Sequence, residues 1–191
     1  MAKGKYAKCV IEVKDPRMKR DLFEGKVTNV LEFGTENFEK SAVWFHSCIV
    51  YAPGAGYGAG DIWERIRPSG EKEVIHASRH KHPADEVFMF LGTDPQHPDD
   101  LGGEVEFWLG KGEDEERYRF TKSTIVYVPG NTWHNPQWFR EVHRPFIEVV
   151  ILVLPEYASS EKRYIEKTQE YPPAFEKEYG HILKEYRGTT E

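Results

Sequence analysis

Short runs of strand-forming residues follow one another through most of this chain, each bounded by Gly, Pro, Asn or Asp. They are VIEV (10–13), AVWFHSCIVY (42–51), DIWERIR (61–67), EVIHA (73–77), DEVFMFLG (85–92), EVEFWLG (104–110), RYRF (117–120), TIVYVP (124–129) and FIEVVILVL (146–154). Several alternate polar and apolar residues, the period of a strand with one face in a core. In EVEFWL, Val105, Phe107 and Leu109 take one face, and Glu104, Glu106 and Trp108 take the other. Many short strands at this spacing point to a β-sandwich or β-barrel rather than to βαβ units. The stretch from Asp15 to Lys40 is less regular, and a short helix is expected near Arg17–Phe23. From Pro155 onward helix formers dominate, with Ser159 or Ser160 as N-cap and Pro172–Pro173 dividing two short helices that pack on the sheet or on a second subunit. No internal repeat is visible, so one domain over 1–191 is expected, with a barrel core at about 42–154 and a helical extension over 155–191.

Charge and apolar run length narrow the partners. The net charge is −6 and Lys and Arg are interleaved with Glu and Asp, which leaves no basic stripe for a nucleic-acid backbone. The longest apolar run, Ile147 to Leu154, is interrupted by Glu148 and is far short of the roughly 20 residues that span a bilayer. The N-terminal stretch lacks an apolar core of signal-peptide length. Cys9 and Cys48 belong to no CxxC pair and read as reduced thiols packed as small hydrophobes. No membrane partner and a cytoplasmic setting are therefore expected.

The segment RHKHPADEVFMFLG (79–92) carries the most chemistry. In an extended strand, side chains two apart share a face. His80, His82 and Glu86 are separated by even steps, and Phe88 and Phe90 continue that face. Pro83 donates nothing to a ladder and suits an edge or a kink. Two imidazoles and a carboxylate on one face make a site for a divalent transition metal. A fourth ligand has to come from elsewhere, and TIVYVPGNTWHNP offers His134 after a strand and a turn.

This pairing resembles the cupin superfamily. Its first motif has His-x-His followed by three or four residues and Glu, as in His80-Lys81-His82-Pro83-Ala84-Asp85-Glu86; its second runs from Pro to His, as in Pro129 to His134. The resemblance covers roughly residues 60–154. Four positions depart from it: Val74 stands where the first motif opens with Gly, Gly92 and Gly130 each come one place early, and Trp138 replaces an Asn. The resemblance implies an all-β fold, a double-stranded β-helix or jelly-roll barrel, here with an N-terminal strand extension and a C-terminal helical tail. It also implies one ion of Fe, Mn, Ni or Zn, with positions left for water, oxygen or substrate.

Other residues are weighed against that site. Glu148, alone in FIEVVILVL, is a candidate base or partner of a ligand if it faces the barrel, and His76 is a second acid–base candidate. His76 and His46 are otherwise core histidines. His97, His143 and His181 read as loop or tail residues. Phe88, Phe90, Tyr127 and Trp133 would give a pocket apolar walls. APGAGYGAG (52–60) lacks the Lys-Ser/Thr ending of a phosphate cradle and reads as a flexible loop near the barrel mouth. In DEVFMFL, Val87, Met89 and Leu91 make the opposite face apolar too, and such a strand needs a cover, from the terminal segments or from a second subunit; the resemblance to cupins implies a homodimer. The expected activity is a metal-dependent dioxygenase, lyase or isomerase acting on a small oxygen-rich acid, enol or dicarbonyl. The alternative is a non-catalytic small-molecule-binding or sensor cupin.

Overall fold

The computed structural model describes residues 21–22, 26–33, 41–54, 56, 61–66, 72–77, 79–153, 166–167, 172–174 and 177–178. Among these, nearly all regular structure is strand. One sheet of six holds β1 (Asp21–Leu22), β2 (Val27–Phe33), β3 (Val43–Val50), β7 (Asp85–Leu91), β10 (Thr124–Val128) and β12 (Phe146–Val153), in the order β1-β2-β3-β12-β7-β10. A second sheet holds β6 (His80–Lys81), β8 (Asp100–Leu109), β9 (Glu116–Lys122), β11 (His134–Val142) and β13 (Glu166–Lys167), in the order β13-β6-β11-β8-β9. β4 (Asp61–Ile66) and β5 (Lys72–Ala77) form a separate antiparallel pair. From β6 onward the chain changes sheet at nearly every connection, so that consecutive segments wind around one core.

That core follows from the alternation. Val27, Cys48, Val50, Phe88, Phe90, Phe146 and Val150 from the first sheet meet Leu101, Val105, Phe107 and Phe139 from the second. Register sets inner-face side chains in rows across β3, β12 and β7: Trp44–Leu152–Glu86, then His46–Val150–Phe88, then Cys48–Glu148–Phe90. Glu86 and Glu148 thus face the same interior two rows apart, about 13 Å along the strand.

Several expectations change. The helix expected near Arg17–Phe23 is replaced, at its two described residues, by β1 paired with β2, because Leu22 and Val27 close a ladder onto the first sheet. β11 carries no clear sequence alternation, since Asn135-Pro136 breaks the pattern and its register shifts between His134 and Gln137. The Gly-rich 52–60 segment is not free where it is described. Gly54 N–H donates to Phe139 C=O at 2.9 Å, and a Cβ on Gly56 would lie 2.0 Å from the Gln137 carbonyl oxygen. Only glycine permits that approach. The strand expected at 10–13 and most of the helical tail lie outside the described residues; within the tail, 173–174 and 177–178 are helical and Glu166–Lys167 is strand. No helix among the described residues is long and apolar enough to cross a membrane.

Candidate metal centre

The segment 79–92 is not one strand. His80 lies in β6 of the second sheet, opposite His134 of β11, while Glu86 lies in β7 of the first. The chain crosses between the sheets through His82-Pro83-Ala84, a bend that Pro83 suits because it donates nothing to either ladder. The donors therefore converge because two sheets face each other, rather than because they share a strand face.

The crossing is fastened to the turn before β11. Asn131 N–H donates to His82 C=O at 2.6 Å, and the Asp85 carboxylate accepts from Gly130 N–H at 2.8 Å and from the Tyr127 hydroxyl at 2.7 Å. These bonds hold the Asp85 carboxyl below its ordinary range. A Cβ at position 130 would lie 2.1 Å from the Pro83 carbonyl oxygen, which accounts for the glycine there.

Donor atoms of His80, His82, Glu86 and His134 all lie within 4.8 Å of one another, and the last three residues are buried. Ligands of a single ion at about 2.0–2.2 Å are at most about 4.4 Å apart, so the cluster is nearly at coordination size. The ring nitrogens sharpen the point. His82 Nδ1 lies 2.9 Å from Ala84 O and His134 Nδ1 lies 2.8 Å from Thr132 O. A carbonyl only accepts, so both Nδ1 atoms carry hydrogen and both Nε2 atoms of the neutral rings present lone pairs. Those lone pairs face Glu86 Oε2, at 3.1 Å from His82 and 2.9 Å from His134. The His134 contact is close without hydrogen-bond alignment, and Nε2 of His134 is a buried atom with no hydrogen-bond partner among the described residues. Lone pairs set against a carboxylate repel unless a cation lies among them. Burial pushes the Glu86 carboxyl up, and it is held down at about 2 only by hydrogen bonds and positive charge from the His134 and His82 rings in their protonated form; with neutral rings, a cation has to supply that charge. The donor set thus fits a divalent first-row ion.

The other expected site residues are spread more widely. Phe88 packs edge-on to Phe107 at 4.9 Å and reaches the His134 ring at 6.2 Å, forming the floor of the donor cluster. Phe90 lies further in, against Phe120 and Phe107. Tyr127 is 55% exposed beside Asp85, so it does not line the interior. The half-buried Trp133 is flanked by the ammonium groups of Lys81 and Lys111 at 4.9 and 5.0 Å. His76 belongs to β5, and its side chain lies outside the described residues.

Glu148 is fully buried but belongs to a different cluster. Its Oε2 accepts from the Cys48 thiol at 3.2 Å and its Oε1 accepts from Gln137 Nε2. Burial pushes the Glu148 carboxyl up to about 7, against the lowering effect of those two bonds. His46, stacked on Trp44, is lowered by burial to about 4. Sequence reading missed Gln137 as a polar partner and treated Cys48 only as a packed thiol; the pairing of Cys48 with Glu148 is visible only once β3 lies against β12.

No family model matches the chain, and no curated protein matches it. Solved structures similar to it include a cupin-like protein from Thermotoga maritima, at 12% identity and TM-score 0.44, covering 79% of this chain and 83% of that one. An oxalate oxidase is similar at 12% identity and TM-score 0.44, covering 86% and 72%. A structure of DMSP lyases is similar at 14% identity and TM-score 0.41, covering 84% of this chain and 61%, less than two thirds, of that one. The resemblance read in the two motifs is matched by the architecture: two facing antiparallel sheets and a His80/His82/Glu86/His134 cluster that fits a cupin metal site.

Proposed function

We propose that the protein is a metal-dependent cupin enzyme acting on a small oxygen-rich acid, enol or dicarbonyl, by C–C cleavage with O₂ or by an isomerase or lyase step. The observation that carries this reading is the paired Nε2 lone pairs of His82 and His134 set against the Glu86 carboxylate. His80, His82, Glu86 and His134 would hold one ion of Fe, Mn, Ni or Zn. Such an ion supplies a Lewis acid with positions left for the oxygens of a small ligand. Phe88 closes the inner side of that site to water, and the Ala84 and Thr132 carbonyls fix the orientation of two rings. Glu148, neutral over much of the ordinary pH range, and His76 are the proposed acid–base groups.

One observation favours the non-catalytic reading: Glu148 is engaged by Gln137 and Cys48, apart from the four donors. Elemental analysis of protein purified with and without air, followed by incubation with a panel of keto and hydroxy acids, tests both. Enzyme action requires a bound ion and disappearance of at least one acid. Tight binding of such acids without conversion, with or without O₂, makes this a binding protein instead.

The reading includes a homodimer in a reduced, cytoplasmic setting, in which Cys48 is a buried thiol donating to Glu148. On the outer face of the six-stranded sheet, Ile49, Ile147 and Leu91 sit side by side, with Ile125 beside Met89, and Ile125 is 65% exposed. A face this apolar suits a second copy. Light scattering at micromolar concentration should give twice the chain mass, and Ile125→Lys should halve it; a monomeric wild type counts against the dimer.

A further inference from the structure

Among the described residues, the strand carrying His80 has the shortest sheet pairing of those that hold the donor cluster. β6 has two residues, and its pairing with β11 rests on a single position, His134 opposite His80. On its other edge it pairs with β13, where Glu166 lies opposite Lys81 and Lys167 opposite His80. His80 is also the one donor residue of the four that is half-buried rather than buried. A pair of residues in one ladder gains little from hydrogen bonding alone, so whatever holds β13 in place also holds His80.

Further along the same C-terminal segment, Glu178 is anchored on the second sheet. Its carboxylate accepts from Arg117 at 3.0 Å, from Arg119 at 3.2 Å and from Arg140 at 2.7 Å. Arg117 and Arg119 stand on β9 and Arg140 on β11, and the three are gathered around Glu106 of β8, which is fully buried. Glu106 accepts from Arg119 Nε at 2.8 Å, from Arg140 Nη1 at 3.2 Å and from Trp108 Nε1 at 2.8 Å. A buried carboxylate surrounded in this way fixes its arginines in place. They offer a pre-set receptor for one more carboxylate, and Glu178 fills it. Single exposed ion pairs contribute little, but three arginines from two strands converging on one carboxylate form a network.

We propose that the segment carrying Glu166–Lys167 and Glu178 is a positioning element of the metal site, holding the His80 strand in ligating register from outside the barrel. The proposal rests on reading the four donors as a metal centre. Glu166 and Lys167 act through backbone pairing with β6, and Glu178 acts by fastening that segment to the sheet that also carries His134.

The test uses the full chain with Glu178→Arg, which sets a fourth cation against the three arginines. In metal-free protein, amide exchange at His80 and Lys81 should speed up roughly tenfold while amides of β11 from Gln137 onward keep their protection. In chelator competition with Zn²⁺, Glu178→Arg should weaken affinity roughly tenfold when His80 is present and leave it unchanged in a His80→Ala background. Equal weakening in both backgrounds, or unchanged exchange at His80 and Lys81, overturns the proposal. If the wild type binds no Zn²⁺ or other divalent ion, the metal reading fails by itself, and the exchange rates still decide whether the segment holds the His80 strand.

Discussion

The four donors near the His82–Ala84 crossing and the Glu148–Gln137–Cys48 group two rows further in are both buried polar clusters in one interior, yet they are closed in different ways. At Glu148, the carboxylate accepts from a thiol and an amide, and its remaining electrostatic cost is met by a proton, since burial raises the group to about 7. At Glu86, the neighbours are imidazole rings whose Nδ1 hydrogens are committed to Ala84 O and Thr132 O, so the neutral rings give the carboxylate no donor and a positive charge has to close the cluster. The first group is complete with protein atoms and hydrogen. The second is complete only with a cation. Phe88, in the row between them, separates the two.

The largest effect is expected from removing that separator. Phe88→Ala deletes a buried ring packed on Phe107 and His134 and should cost about 3–5 kcal/mol in chemical denaturation. Water entering the gap should also bring the Glu148 carboxyl down toward its ordinary range, readable by infrared titration of the carboxyl band. A loss below about 1 kcal/mol would mean that the clusters are not walled off from each other.

Next comes Glu148→Gln, which keeps the shape and removes the titration. The folded pKa of about 7 exceeds the ordinary 4.5, so the folded state binds the extra proton between those values. Its stability contribution is present below about 4.5 and is lost as pH rises through about 7. Relative to Glu148→Gln, the wild type should therefore lose on the order of 3 kcal/mol across that window, measured by denaturant midpoints at each pH. Metal content should be unchanged. A pH-independent gap, or a loss of metal in the variant, would erase the distinction between the two clusters.

A smaller effect belongs to the bonds around Asp85. Asp85→Ala releases Gly130 N–H and the Tyr127 hydroxyl and should weaken metal affinity about 10–100-fold, as loss of a group supporting a ligand does. Tyr127→Phe removes only the exposed half of that link and should cost under about 1 kcal/mol with affinity nearly intact. If the two variants lose affinity equally, the Gly130 bond is not what holds the crossing to the turn.

Much of this was legible in the sequence. β3, β4, β5, β7, β9, β10 and β12 fall within two residues of their expected ends, because alternation and turn residues are local signals. The four donors could be selected by residue type and motif, but the reason they meet could not. An even spacing suggested one strand face, whereas His80 and Glu86 stand on facing sheets. β11 and its inward Gln137 were hidden because a register shift after His134 cancels the parity from which faces are read. Tyr127 shows the converse error: an aromatic near a motif was assigned to the pocket, although its strand alternation turns it outward.

The most direct test of the central claim is the metal stoichiometry of wild type and of a His82→Ala/His134→Ala variant, measured by elemental analysis after equal exposure to a mixture of Fe²⁺, Mn²⁺, Ni²⁺ and Zn²⁺. The wild type should retain about one ion per chain and the variant essentially none, with far-UV circular dichroism showing the strands preserved. A variant that keeps the wild-type complement of metal would contradict the assignment of His80, His82, Glu86 and His134 as the site.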